Sequence, residues 1–458
     1  MPSFDTYREA LDYLFHFTDY ERMHRVTKAT SVFGLARMNK LLDHCGNPHL
    51  ELDAVHVAGT KGKGSTAAMT ASVLGASGRT VGLYTSPHVY DIRERIQVNG
   101  EWIPEASVRR LLDGLVPYLE VAKHGGDTYA PTFFETFTVI AFLYFLERGV
   151  DVAVVEVGLG GRLDATNVLQ PRACAITPIS FDHTEKLGHT LAEIAGEKAG
   201  IVKPGVPMIS GVQRPEALAV IRDRCEGADA PLHVVGEDVV IGPRADATGG
   251  GGPAGAFRVR TWRRELDGLT VPLLGRHQCE NAATAIGLAD LLHERGTELS
   301  DADIRSGLAS VRWPGRIQLV GERPEIIVDG AHNPASIGVL LDTLADLAPK
   351  RTVFVVAVNA DKDVTRMLRL LADAADAFVF TRTDNPRAAP PDDLEDRLAE
   401  MAPDAPCRAA DEPGRALDLA RELAGADDRI VVTGSMYLAG DALMILDRRR
   451  ADPKESVL

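Results

Sequence analysis

Short apolar runs alternate along the first half of the chain with longer stretches of helical character. The runs Ala54–Ala58, Thr80–Tyr84, Val152–Val157, Ala173–Thr177 and Val206–Ile209 predict strands. Between them Ser65–Ala76, Pro104–Val121 and Thr132–Glu147 read as helices, with Pro104 suited to a first turn. This order is that of βαβ units around a largely buried parallel sheet. The texture then changes. Residues 232 to 274 read as short strands around a tip, Asp246–Gly255, expected to be a mobile loop without function, and a helix follows at about Cys279–His293. A second alternating block opens near Trp313-Pro-Gly-Arg316. Its expected strands are Glu325–Asp329, Thr352–Ala357, Ala377–Thr381 and Arg429–Thr433; its expected helices are Ala335–Leu347, Val364–Ala375, Gly414–Leu423 and Tyr437–Asp447. The predicted fold is therefore α/β in two domains. Residues 1–305 form a P-loop ATPase-like domain with a mostly parallel sheet and a small β region, and residues 306–458 form a Rossmann-like α/β domain. In such sheets ligands sit at the carboxyl ends of the strands.

One strand-to-helix junction carries chemistry. Gly59-Thr-Lys-Gly-Lys-Gly-Ser-Thr66 follows the first strand and opens the first of these helices. Glycines let the backbone approach a polyphosphate, and loop amides with a helix N-terminus favour negative charge. Lys63 adds a mobile charge and is expected to face solvent. The spacing departs from the standard phosphate loop, which would place Gly at Val57 and a hydroxyl at Gly64. The bland reading is a glycine-rich βα turn; two lysines and two hydroxyls beside the glycines favour a nucleotide site.

Composition narrows the partners. The chain has 458 residues, 45% hydrophobic and 25% charged, with a formal charge of −15. Such a charge argues against a nucleic-acid partner but leaves room for a small anion in a local basic pocket. The five cysteines are scattered without a CxxC pair, so neither a disulfide framework nor a thiolate zinc site is indicated. No signal peptide and no membrane-spanning stretch is read, and the expected location is the cytoplasm.

Three further strand ends deliver polar groups: Thr85-Ser86-Pro87-His88, the run Glu156-Val-Gly-Leu-Gly-Gly161-Arg162-Leu-Asp164-Ala-Thr-Asn167, and Ser180-Phe-Asp182-His183. Magnesium bound with ATP takes one or two protein oxygens, with water and phosphate supplying the rest, and Ser86 and Glu156 suit that need. Glu156, a carboxylate ending an apolar strand, needs a charge partner. His183 taken alone reads as a capping or core histidine.

Taken in order, these motifs resemble the folylpolyglutamate synthase/dihydrofolate synthase family, within the wider Mur-ligase group of ATP-dependent amide-forming ligases. Arg93-Glu-Arg-Ile96, Thr132-Phe-Phe-Glu135, Glu197-Lys-Ala-Gly-Ile201, Trp313-Pro-Gly-Arg316, Asp329-Gly-Ala-His-Asn-Pro334 and Asp361-Lys-Asp363 complete the set, which runs from about residue 20 to 445. The resemblance implies that Thr60, Lys61, Gly62, Lys63, Gly64 and Ser65 cradle the ATP phosphates, with Lys63 also catalytic. It implies nucleotide contacts at Asn281, Arg316 and Asp329. Ser86 and Glu156 would hold one magnesium, and His183 would help hold a second. Lys198 matches a lysine carbamylated in the family, whose carbamate can ligate metal, so that Lys198 and His183 join the catalytic set. Thr132, Phe133, Phe134, Glu135, Leu163, Asp164 and Ala165 would line the pterin substrate's pocket, and Ser86–Gly100 a mobile loop. Two departures are visible: Lys61 stands where the family often has Asn, and Val358-Asn-Ala360 precedes Asp361 where a glycine-containing turn is common.

The implied reaction joins L-glutamate to 7,8-dihydropteroate or to the γ-carboxylate of a folate, through an acyl phosphate, in a cytoplasmic monomer with ATP and magnesium. A peptidoglycan-precursor ligase would use the same chemistry but would usually carry an extra N-terminal nucleotide-sugar domain, whereas about fifty residues precede the loop here. A P-loop kinase would lack the second α/β domain, and a nucleotide-switched binding module would need switch segments.

Overall fold

The computed structural model describes residues 4–17, 34–124, 130–243 and 255–451. Two compact units emerge. The first holds residues 4–87, 93–272 and 277–312 of these, and the second holds 88–92, 273–276 and 313–451.

The first unit is built on strands β1 (Ala54–Ala58), β2 (Val81–Tyr84), β3 (Ile96–Val98), β4 (Glu101–Trp102), β5 (Val152–Glu156), β6 (Ala173–Ile176), β7 (Met208–Ser210) and β8 (Leu232–Val234). They form one sheet in the order β4-β3-β2-β5-β1-β6-β7-β8. From β2 to β8 every pairing is parallel, and only the β2–β3 and β3–β4 pairs are antiparallel. β1 and β5 are buried at every position, which is why both read as mainly apolar runs, with His56 inside β1 and Glu156 ending β5. A separate three-stranded antiparallel sheet holds β9 (Val240–Ile241), β10 (Phe257–Arg260) and β11 (Glu265–Leu269). The glycine-rich tip between β9 and β10 lies, apart from Gly255, outside the described residues.

The helices of this unit are α1 (Tyr7–Phe15), α2 (Leu35–His44), α3 (Lys63–Ala76), α4 (Glu105–His124), α5 (Phe133–Glu147), α6 (Thr184–Leu187), α7 (Leu191–Lys198), α8 (Pro215–Glu226), α9 (His277–Glu294) and α10 (Asp301–Ser310). α5 is buried along most of its length, so a continuous apolar sequence is stable there without an amphipathic pattern. The expected division at residue 305 falls inside α10. That helix packs on α3 with Gly307 so close that a Cβ would lie 2.4 Å from Val73 Cα, and Ser72 Oγ donates to the Gly307 carbonyl at 2.7 Å.

The second unit carries β12 (Gln318–Glu322), β13 (Glu325–Val328), β14 (Thr352–Val356), β15 (Ala377–Phe380), β16 (Cys407–Ala409) and β17 (Arg429–Thr433), ordered β12-β13-β17-β14-β15-β16. Only the β12–β13 edge pair is antiparallel. Helices α11 (Pro334–Ala345), α12 (Val364–Ala372), α13 (Pro391–Met401), α14 (Pro413–Leu423) and α15 (Met436–Ala451) cover the sheet. α11, α12 and α13 close one core over Phe354, Phe378 and Phe380, while α14 and α15 close the other over Val353, Val355, Ile430 and Val432. Residues 88–92 join this unit: Val89 lies over Gly440, where a Cβ would come within 1.9 Å of the Val89 carbonyl oxygen.

Candidate active site

The glycine loop leaves β1 along a path only glycine can take. Gly59 has φ +144° and abuts Thr177, whose Oγ1 would lie 1.8 Å from an added Cβ. Gly62 has φ +84° and abuts Asn281, so the structure places Asn281 of α9 directly against the loop. The amides of Thr60 and Lys61 both donate to the Pro178 carbonyl at 3.1 and 3.2 Å, and Thr60 Oγ1 donates to the Ser180 carbonyl at 3.2 Å. These bonds pin the first half of the loop to the segment after β6. The second half is different. α3 starts with Gly62 as its N-cap and no capping side chain. The amides of Lys63, Gly64 and Ser65 in its first turn have no acceptor within the helix, and the helix dipole adds partial positive charge there. This is an anion site built from backbone.

Lys63 does not face solvent as expected. Its side chain is only 17% exposed, and its Nζ sits 3.8 Å from Glu156 Oε1. Sheet register explains this. Glu156 ends β5 opposite Val57 of β1, so the strand end sets a buried carboxylate beside the loop. β2 flanks β5 on the other side, and the chain beyond it brings Ser86, whose amide donates to Glu156 Oε2 at 3.1 Å. Lys198, the last residue of α7, is 3% exposed and donates from Nζ to the Gly59 carbonyl at 2.8 Å. Burial first, and the nearby Lys63 charge second, lower its pKa to about 7. Much of the amine is therefore unprotonated at neutral pH. Asp182 receives Lys61 Nζ at 3.2 Å and lies 3.8 Å from His183 Nε2. His183 itself adopts φ +49° ahead of α6, with its side chain half-exposed.

Asp164 caps the turn Ala165–Val168 after the glycines of the Glu156–Asn167 run. Its carboxylate accepts from the Leu159 amide at 2.8 Å, the Thr166 amide at 3.0 Å and Thr166 Oγ1 at 2.5 Å. Burial raises its pKa against the pull of those donors. Thr132 and Glu135 form a reciprocal capping box at the start of α5: Glu135 N donates to Thr132 Oγ1 at 3.1 Å, and Thr132 N to Glu135 Oε2 at 2.7 Å. Arg37 adds an ion pair to Glu135 at 3.3 Å, with both side chains nearly buried. Phe133 lies in the core, whereas Phe134 and Leu163 stay partly open. Phe134 covers Gly158, where a Cβ would meet its ring at 2.5 Å.

In the second unit, Asp329 follows β13 at the carboxyl edge of the sheet. Its oxygens accept the amides of Ile317 and Ala331, each at 3.0 Å. Burial raises its pKa, opposed by the charge of Arg316. Ile317 is held at φ +43°, an unusual conformation for a β-branched residue and one that marks a constrained site. Arg316 Nη1 rests on the Met436 sulfur at 2.8 Å.

Both units match known protein families. The Mur ligase middle domain matches residues 57–289, and the Mur ligase, glutamate ligase domain matches residues 315–436. The dihydrofolate synthase/folylpolyglutamate synthase of Bacillus subtilis is 38% identical over 89% of this chain and 94% of its own length. The chain belongs to the folylpolyglutamate synthase/dihydrofolate synthase family. Solved structures agree. Mycobacterium tuberculosis folylpolyglutamate synthase complexed with ADP superimposes with a TM-score of 0.85, at 32% identity over 96% of this chain and 98% of that one. E. coli FolC in complex with DHPP and ADP gives a TM-score of 0.84, at 30% identity over 98% and 100%. This synthase is a Mur-type ligase that attaches glutamate using ATP.

Whether the synthase's site suits magnesium can be judged from its donors. Glu156 is a hard, buried carboxylate at the mouth of an anion-binding loop, and Ser86 stands beside it. Among the described residues no group of three or more His, Cys, Asp or Glu side chains could form an all-protein cage. Magnesium rarely wants one; it favours one or two carboxylates plus phosphate and water. The residues fit.

Several neighbours of the site escaped the sequence. The Pro178 carbonyl and Thr177 position the glycine loop, but their side of the contact is backbone or close packing, which leaves no signature in residue type. Arg37 meets Glu135 across 98 positions. His56, buried within β1, contacts Thr166 Oγ1 at 2.8 Å and so supports the Asp164 turn. A histidine inside an apolar strand was the signal available for that contact. Among the described residues no helix is long and apolar enough to cross a membrane.

Proposed function

We propose that this synthase adds L-glutamate to 7,8-dihydropteroate, and to the γ-carboxylate of reduced folates, acting as a cytoplasmic monomer. The observation that carries the reading is the uncapped start of α3, with Lys63, Glu156 and Lys198 gathered on the same loop. It is supported by the likeness to E. coli FolC in complex with DHPP and ADP. A carboxylate is a poor electrophile at neutral pH. Moving the γ-phosphoryl group of ATP onto it creates an acyl phosphate, which the amine of glutamate attacks with loss of phosphate. Such transfers rely on positioning and charge neutralisation rather than on covalent work by the protein.

In this scheme the free amides of Lys63, Gly64 and Ser65 hold the phosphates, with Thr60, Lys61 and Gly62 shaping the loop. Lys63 neutralises charge on the transferring group. Ser86 and Glu156 hold magnesium, with His183 and a carbamylated Lys198 holding a second ion; the metal supplies charge compensation at the phosphates. Lys198 is suited to carbamylation because an unprotonated amine attacks CO2 and releases a proton. Asn281 buttresses Gly62, and Arg316 and Asp329 contact the nucleotide. In the pterin pocket Phe134 and Leu163 meet the ring, while Thr132, Phe133, Glu135, Asp164 and Ala165 hold its walls. The test is glutamate-dependent phosphate release with 7,8-dihydropteroate, a reduced folate and a UDP-linked acid, with product mass for each. Release with the UDP-linked acid alone would overturn the reading.

A further inference from the structure

The second unit contains a cleft of about 400 Å³ that the ligase chemistry does not use. It lies beneath the β12–β13 turn, where that turn meets the last turns of α14 and α15. Val320, Ile326 and Leu446 floor it. Four arginines converge on it: Arg323 from the turn, Arg421 from α14, and Arg449 and Arg450 from α15. One carboxylate, Glu322, joins them. α15 starts at the carboxyl edge of the sheet, next to Asp329, and runs back to the amino edge. Met436 and Arg449 are thirteen residues apart along it, which is about 20 Å at 1.5 Å per residue. The cleft is therefore remote from the Asp329 edge of the same unit.

Arginines in a last helical turn can simply complement the helix dipole. That explains neither their convergence nor their pairing. Arg323 has Asp427 at 2.9 Å, and Arg450 has Asp447 at 4.0 Å. Arg449 Nη1 lies 2.9 Å from Asp418 but off the hydrogen-bonding line, and among the described residues this buried nitrogen has no hydrogen-bond partner, while Nη2 donates to the Gly414 carbonyl at 3.4 Å. Arg421 makes no hydrogen bond and no ion pair among the described residues. Burial and the facing Arg449 lower its pKa from the ordinary guanidinium range, against the opposing pull of Asp418. Among the described residues two half-buried cations of α14 and α15, Arg421 and Arg449, thus face the single Asp418 carboxylate, and a buried N–H between them is left unmatched, so the pair carries an excess of positive charge. Arginine forks match carboxylate and phosphate oxygens.

We propose that this cleft is a second ligand site of the synthase, taking a small molecule that carries two or more anionic oxygens, with Arg421 and Arg449 as its principal donors. The same oxyanion chemistry can come from a phosphoryl group or from a short polycarboxylate, and the test separates them. The full chain, saturated with magnesium and ADP so that the glycine loop is filled, is titrated calorimetrically with inorganic phosphate and, separately, with tricarballylate. Saturable binding of either is expected, and the anion that binds more tightly names the source. Arg421→Met and Arg421→Gln should each weaken it at least tenfold, with ADP affinity unchanged. Without added anion both variants should keep or raise the thermal midpoint, because one of the two cations that face the single Asp418 carboxylate has been removed. No saturable binding of either anion, binding that survives both substitutions, or a clear drop in the ligand-free midpoint would each overturn the proposal; the last would make Arg421 a structural residue. None of these outcomes bears on glutamate ligation, which is read separately.

Discussion

Two helix starts in the first unit, both marked by sequence as ligand-binding, are built in opposite ways. α5 begins with a closed arrangement: Thr132 and Glu135 satisfy one another's amides, and Arg37 neutralises the carboxylate. α3 begins open, with a glycine at its N-cap and no side chain over its first amides. Leaving those donors unmatched costs stability that a capping serine or aspartate would restore, typically about 1 kcal/mol. On the proposed reading, that cost is accepted because a phosphate is received there. At α5 the corresponding groups are already engaged, so we expect Thr132 and Glu135 to shape a wall rather than offer themselves to a ligand. The difference teaches that a polar motif at a helix start must be read with its hydrogen-bond ledger, because residues that cap their own helix are already committed.

The sharpest way to break this contrast is Lys63→Ala. We expect kcat/KM for glutamate ligation to fall at least ~100-fold, the scale of losing one preorganised charge at a developing anion. The Lys63–Glu156 pairing revises what should happen to stability. Glu156 is left buried with one fewer compensating group, so the thermal midpoint should fall modestly in the metal-free protein and recover with magnesium. Activity within a few-fold of the parent would remove the loop from the mechanism.

Lys198→Ala should lie close behind in effect, with partial rescue by acetate if the working group is a carbamate. The pH dependence has a definite sign. Lys198 has a folded pKa of about 7, below its ordinary value, so the unfolded chain binds more protons than the folded one between there and about 10.5. Its burial therefore penalises folding fully below pH 7, and the penalty fades as pH rises towards 10.5. Ligation should fall as pH drops through 7, because the protonated amine cannot add CO2. Incubation with 13C-bicarbonate should give a carbamate carbon resonance in the parent that is absent from Lys198→Ala. A parent protein with no such resonance and no bicarbonate dependence would leave Lys198 as a plain hydrogen-bond donor to Gly59.

How much of this was legible beforehand follows from the kind of interaction. The parallel strands were readable because burial on both faces demands apolar runs such as Ala54–Ala58. The glycine loop was readable because Gly59 and Gly62 sit where a side chain would strike Thr177 and Asn281. The short strands β3, β4, β12 and β16 and the helices α1, α2, α6, α8, α10 and α13 went unread; a strand of two to five residues carries little periodicity. Lys63 was misjudged because its partner, Glu156, is set by strand register, and register is not written locally. The commitment of Glu135 to Arg37 was invisible because it joins two helices, α2 and α5, across 98 positions of the chain.

Glu135→Ala tests the closed start. It strands Arg37 in a nearly buried position, so the synthase should lose about 3 kcal/mol of stability, the low end for breaking a buried pair. KM for ATP should not change. Glu135→Gln, which keeps an oxygen for the Thr132 amide, should lose less. The double variant Arg37→Met, Glu135→Met should recover part of the loss, since neither charge is then stranded. If Glu135→Ala instead raised the pterin substrate's KM tenfold with an unchanged midpoint, the carboxylate would be a ligand group and the contrast with α3 would fail.

The smallest effect isolates the cap alone. Thr132→Ala removes the oxygen that accepts from Glu135 N but leaves the Arg37 ion pair, so the expected loss is about 1 kcal/mol. Thr132→Ser retains the oxygen and should sit within a few tenths of the parent. Because the lost bond only orders the first turn of α5, the KM of the pterin substrate should move less than two-fold in either variant. The paired result decides what the threonine does. A stability loss in Ala with recovery in Ser, at constant KM, makes it a helix cap and nothing more. A KM that rises in Ala and recovers in Ser at constant midpoint would mean that the hydroxyl faces the ligand, so that the start of α5, like that of α3, keeps a donor or acceptor in reserve.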